Sequence, residues 1–82
     1  MKTDIFISAI ENRFPVRFLY RLSEIVLEPY FVTFNGTGKK VIYGRVNNTN
    51  EIKVFEYEKI TNIKTLQYNR FSPIIPLVPN YN

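Results

Sequence analysis

Tyr43 and Arg45, two positions apart in the run Val41-Ile42-Tyr43-Gly44-Arg45-Val46, are the side chains best placed to do chemistry. On a strand they share one face, about 7 Å apart. Lys53-Val54-Phe55 and Lys59-Ile60 follow, adding two ammonium groups and a further aromatic ring. Rings beside fixed cations can stack nucleobases, at about 1–3 kcal/mol each, while the cations hold phosphates. If Ile42, Gly44 and Val46 face a core on one strand, and Ile52 and Val54 face it on the next, then Tyr43, Arg45, Lys53, Phe55 and Tyr57 form one outward patch. Gly44 would let a ligand or a backbone approach closely. The competing reading places Phe55 and Tyr57 in the core of a barrel that buries both faces of a bent strand, and for Phe55 it is the favoured one. Tyr43 suits a half-exposed position, with its ring packed and its hydroxyl wet. Tyr20, Arg21 and Lys59 join Tyr43, Arg45 and Lys53 as the candidate ligand-binding set.

Other chemistry is narrowly bounded. The chain has no His and no Cys, which removes imidazole bases, Ser-His nucleophiles, thiolates, disulfides and the usual zinc ligands. Its seven acids are scattered, and only Glu56 and Glu58 come near to forming a pair. A solvated strand edge is the better reading of that pair. We therefore expect no enzyme, no metal site and no cofactor.

Eighty-two residues make one domain. The hydrophobic fraction of 45% and aromatic fraction of 16% are those of a folded chain. Eleven basic residues against seven acidic ones give a net charge of +4. The excess is uneven: residues 1–22 carry four bases and two acids, 23–58 four and five, and 59–82 three and none. That balance suits nucleic acid or a small anion, and equally plain solubility. Asp4 and Glu11 interrupt any secretory apolar run, and no stretch reaches the length of a membrane span, so the default location is cytoplasmic.

The elements that must position these residues follow from period and punctuation. Thr3 reads as an N-cap with Asp4 in the first turn, and Ile5, Phe6, Ala9 and Ile10 follow helical spacing, which predicts a helix over 3–12. Pro15 ends it. Alternation over Val16–Leu22 predicts a half-buried strand, with a turn at Ser23-Glu24. A long strand over Ile25–Phe34 is apolar on both parities and must bend or bulge at Pro29, which cannot donate to a ladder. Asn35-Gly36-Thr37-Gly38 reads as a hairpin loop, followed by strands over Val41–Asn47 and Glu51–Tyr57 joined through Asn47–Asn50. A turn at Glu58-Lys59 leads to a fifth strand over Ile60–Tyr68. The fold class is mainly β (α+β): a small, strongly bent antiparallel barrel of about five strands with one N-terminal helix. Residues 72–82 form a tail with prolines at spacing three, either packed on the barrel or free to meet a partner.

Several pieces, in this order, resemble the WYL domain, a small bacterial module named for a Trp-Tyr-Leu triplet. Ala9-Ile10 with Val16-Arg17-Phe18-Leu19-Tyr20 looks like the family's opening, Glu28-Pro29-Tyr30 like its second strand, and Phe71-Ser72-Pro73 like its ending. The triplet falls on Ile42-Tyr43-Gly44 and keeps only the tyrosine. Lys53 and Lys59 stand where the family commonly has arginine; they retain the charge but not the planar fork that grips phosphate bidentately. The resemblance runs from about Ile5 to about Pro73, and residues 1–71 are read as one WYL-like domain. It implies an SH3-like or Sm-like barrel and a ligand-sensing role of the kind found in bacterial transcription regulators, binding a nucleotide or single-stranded nucleic acid. No helix-turn-helix precedes the module, so duplex reading is not expected. The alternative is a protein-interaction or oligomerisation barrel working through a strand edge or the tail.

Overall fold

In the computed structural model, which describes residues 1–73, helix α1 spans Lys2–Asn12 and buries Phe6, Ala9 and Ile10, one stripe at helical spacing. The helix begins one residue earlier than its sequence suggested. Met1 is the N-cap, without a side-chain cap bond. Thr3 therefore lies inside the first turn, and its hydroxyl donates instead to the Tyr57 Oη at 3.3 Å. At the other end, Arg13 adopts φ 60. The Arg13 amide donates to the Ile10 carbonyl at 3.2 Å and the Phe14 amide to the Ala9 carbonyl at 2.9 Å. These two bonds make a Schellman cap with arginine in the left-handed position that glycine usually occupies.

Five strands follow: β1 Val16–Tyr20, β2 Ser23–Phe34, β3 Lys40–Val46, β4 Ile52–Glu56 and β5 Ile60–Thr65, with a single 3-10 turn over Tyr57–Lys59 between the last two. They form one antiparallel sheet in the order β4-β3-β2-β1-β5. The first hairpin turns at Arg21-Leu22 rather than Ser23-Glu24, because Tyr20 pairs with Ser23. Arg21 takes φ 58 there, and Leu22 is left 95% exposed at the tip instead of continuing the strand. The loop after β2 matches its sequence reading. The Asn35 Oδ1 accepts bonds from the Thr37 amide at 3.0 Å, the Thr37 hydroxyl at 2.8 Å and the Lys39 amide at 3.0 Å.

The bend expected at Pro29 is present. Pro29 pairs with Gly44 but Phe31 pairs with Tyr43, so Tyr30 is an extra residue on β2. Gly44 is required at this crossing, since a Cβ would overlap the Glu28 carbonyl oxygen and lie 2.8 Å from Leu27 Cγ. The close neighbour that Gly44 admits is thus the adjacent strand. Bent in this way, β2 pairs with β1 through its first half and with β3 through its second.

The sheet curls far enough for its two ends to be joined by three residues. Phe55 of β4 meets Phe18 and Tyr20 of β1 edge-on, at ring distances of 5.4 Å and 4.9 Å. No ladder joins β4 to β5 among the described residues. Helix α1 plugs the interior: Phe6 contacts Phe18 at 6.2 Å and Tyr57 at 5.5 Å. Phe6, Ile10, Phe18, Leu27, Val32 and Ile42 are sealed from water at the centre, each contributing about 1.5–3 kcal/mol of transfer free energy. Of the C-terminal tail, only Ser72 and Pro73 lie within the described residues.

Candidate functional site

The parity expected for β3 is correct. Ile42 and Gly44 face the core, while Tyr43 and Arg45 point away from it, half-buried. On β4 the parity is the reverse of the one taken for the outward patch. Val54 stands opposite Tyr43 and Ile52 opposite Arg45, whereas Lys53 faces Gly44 and Phe55 faces Ile42. Directly opposed residues share a face, so Lys53 and Phe55 lie on the side away from Tyr43. Both parities of β4 carry apolar residues, and packing decides between them. The Phe55 ring fills the space between Phe18 and Tyr20, and Ile52 and Val54 are left 40% and 46% exposed.

The remaining candidate residues are engaged elsewhere. Arg45 donates from Nε and Nη2 to one oxygen of Glu28, at 2.7 Å and 2.6 Å. Glu28 is the buried charged residue of the described chain, which commits the guanidinium to its carboxylate. The Tyr20 hydroxyl accepts the Glu56 amide at 3.2 Å. Lys59 pairs with Glu56 at 3.1 Å, and Lys53 comes within 4.0 Å of Glu51. The Arg21 amide bonds to the Lys59 carbonyl at 3.0 Å. Tyr20, Arg21 and Lys59 therefore share one corner of the sheet, Tyr43 and Arg45 occupy another wall, and Lys53 belongs to neither.

A different constellation surrounds a cleft of about 510 Å³ on the opposite half of the sheet. Arg17 of β1 and Val26 of β2 form its floor; they pair with each other and point away from the core. Asn47 and Asn48 from the β3–β4 turn make one wall, held by the Asn47 amide bonding to the Val26 carbonyl at 2.9 Å. Leu66, Tyr68 and Asn69 make the other, held by the Leu66 amide bonding to the Pro15 carbonyl at 2.8 Å. Asn48 and Asn69 adopt φ 64 and φ 57, a conformation that asparagine tolerates better than most residues.

The cleft is rich in uncommitted hydrogen-bonding groups. Among the described residues, no hydrogen bond engages the side-chain amides of Asn47, Asn48 or Asn69, and each amide offers both donors and an acceptor. The Tyr68 ring is 61% exposed. Arg17 meets Glu24 at 3.8 Å, with 43% and 65% of the two side chains exposed, so the pair is loose and open to competition. Lys64 of β5 faces Arg17 across the ladder and stands on the same side. An aromatic surface, several amides and adjacent cations suit a base with its phosphate.

Sequence reading noted these residues but did not connect them. Asn47–Asn50 reads as a turn, and Tyr68 as the end of a strand that stops instead at Thr65. An aromatic-amide-cation run, Tyr68-Asn69-Arg70, was the available signal. Among the described residues, no group of three or more His, Cys, Asp or Glu could hold a metal ion, and no helix is long and apolar enough to cross a membrane.

No protein-family model matches this chain, and neither a curated protein nor a solved structure gives a significant match. The resemblance to WYL domains therefore has no support beyond the motifs themselves.

Proposed function

We propose that this protein is a non-catalytic binding module for a nucleotide or single-stranded nucleic acid, with the ligand seated in the Arg17–Tyr68 cleft. One observation carries the reading: strand, turn and C-terminal segment converge to place an exposed ring, three free side-chain amides and a loosely paired guanidinium around a single cleft. A base stacks on Tyr68, the amides meet its edges, and Arg17 exchanges Glu24 for a phosphate. A ligand-sensing role of the WYL type fits such a site, and a cytoplasmic location fits such ligands.

A second reading has its own support. Phe31 and Tyr43 stack at 4.5 Å, and together with Ile52 and Val54 they give an apolar surface suited to a protein partner or a second copy. Strand addition at the sheet edges is opposed by the structure. Lys53 on edge strand β4 has the inward parity, and β5 carries a register shift with Asn62 at φ 54; both devices blunt edges.

Titration with short single-stranded DNA and RNA, followed by backbone amide shifts, separates these readings. Shifts at Asn47, Asn48, Tyr68 and Asn69, lost in Tyr68→Ala and retained in Tyr43→Ala, are the expected result. Binding that depends on Tyr43 and ignores Tyr68 would sink the assignment to the cleft.

A further inference from the structure

Two charged side chains line the cleft, and they are opposite in sign. Arg17 on β1 pairs with Val26 on β2, and Leu19 pairs with Glu24. Arg17 and Glu24 are therefore diagonal neighbours on one face of this hairpin, within reach of each other. Their contact at 3.8 Å, with 43% and 65% of the side chains exposed, is loose enough for a ligand to open. The remaining lining residues among those described are uncharged.

Opening the pair frees the guanidinium but does not remove the carboxylate. Glu24 is fixed to the neighbouring strand, so an anion that takes Arg17 sits beside a second negative charge. One ionised phosphate replaces one partner of Arg17 with another. Each further charge meets Glu24 with no cation of the lining left to neutralise it. Lys64 stands beside Arg17 on β5, on the side away from β2 and Glu24, and does not line the cleft. No glycine lines it either, so a glycine-rich loop of the kind that cradles polyphosphate does not contribute. We propose that Glu24 sets the charge of the ligand: the cleft takes a nucleoside carrying one singly ionised phosphodiester and discriminates against phosphomonoesters and polyphosphates. The proposal rests on the base-binding reading of the cleft, and adds to it a charge limit and the residue that imposes it. A cyclic mononucleotide and the link between two nucleosides both present that group.

Calorimetric titration of the full chain, without divalent metal, tests this with a graded series for each base. The probes are the nucleoside, its 3′,5′-cyclic monophosphate, 5′-monophosphate and 5′-triphosphate, and the dinucleoside monophosphate. The cyclic or the dinucleoside monophosphate should bind tightest, about threefold or more ahead of the nucleoside and the triphosphate. The tighter of those two identifies the source of the diester. Glu24→Gln should tighten the 5′-monophosphate and triphosphate about three- to fivefold and leave the nucleoside unchanged. Glu58→Gln removes the same charge outside the cleft, beside Lys39, and should leave every affinity as it was. Thermal midpoints check that both variants fold. A triphosphate bound more tightly than the diesters would overturn the charge limit while leaving a nucleotide site. A nucleoside bound as tightly as the diesters would show that Arg17 meets no phosphate, and would overturn it too. Equal effects of the two substitutions would overturn the role of Glu24. No binding of any probe would remove the cleft reading as well.

Discussion

The Tyr20 hydroxyl accepts the Glu56 backbone amide at 3.2 Å, a side-chain bond that ties β1 to the end of β4 across the interior of the curled sheet. The bond stands where a barrel would otherwise need a ladder. It makes Tyr20 a structural residue, with its ring packed on Phe55. Tyr20→Phe keeps the ring and strands the amide, which should cost about 1–2 kcal/mol in urea denaturation. Oligonucleotide affinity should be unchanged. A variant of full stability would show that the bond contributes nothing.

Gly44→Ala places a methyl group against the Glu28 carbonyl at the strand crossing. The obstacle is backbone, so the β2–β3 ladder must shift. We expect a loss of about 2–3 kcal/mol or failure to fold. Thermal melting of Gly44→Ala beside Gly38→Ala, which meets strain at φ 81 but no overlap, separates the steric term from the conformational one.

Removing Arg45 leaves the Glu28 carboxylate buried without its partner. Arg45→Ala should cost about 3 kcal/mol, given that the arginine retains some contact with water. The double replacement Glu28→Gln, Arg45→Met should recover much of that loss. A cost for Arg45→Ala below about 1 kcal/mol would mean that the carboxylate finds water.

Arg13 occupies a left-handed cap position that favours glycine. Arg13→Gly should therefore stabilise the fold by about 1 kcal/mol. Thermal melting of the variant beside the wild type checks the gain, and an unchanged midpoint would mean that the left-handed arginine carries no strain.

The Lys39–Glu58 bond at 2.6 Å lowers the Glu58 pKa from its ordinary 4.5 and raises that of Lys39, the hydrogen bond being the main cause in both. A lowered folded-state carboxylate pKa means that its stabilisation is present above 4.5 and is lost as pH falls through the lowered value. The raised lysine gives the complementary loss at high pH, beyond its ordinary 10.5. Both side chains lie at the surface, so the effect should be small and weaken with salt. The stability gap between the wild type and Glu58→Gln should close under acid. A gap that persists there would assign it to something other than charge.

What could be read from residues alone was whatever depends on near neighbours along the chain. The period of Phe6, Ala9 and Ile10 specified the helix, Pro29 the bend in β2, and Asn35–Gly38 the loop, because each rests on local dihedral preference or spacing. β4 escaped that logic, since Ile52 and Val54 on one face and Phe55 on the other satisfy alternation equally well. Only the space between Phe18 and Tyr20 settled which face turned inward, and with it the separation of Lys53 from Tyr43 and Arg45. The commitment of Arg45 to Glu28 and the meeting of Arg17, Asn47 and Tyr68 in one cleft depend on strand order and on the curl of the sheet. Those are long-range properties, and no local pattern encodes which distant segments will share a wall.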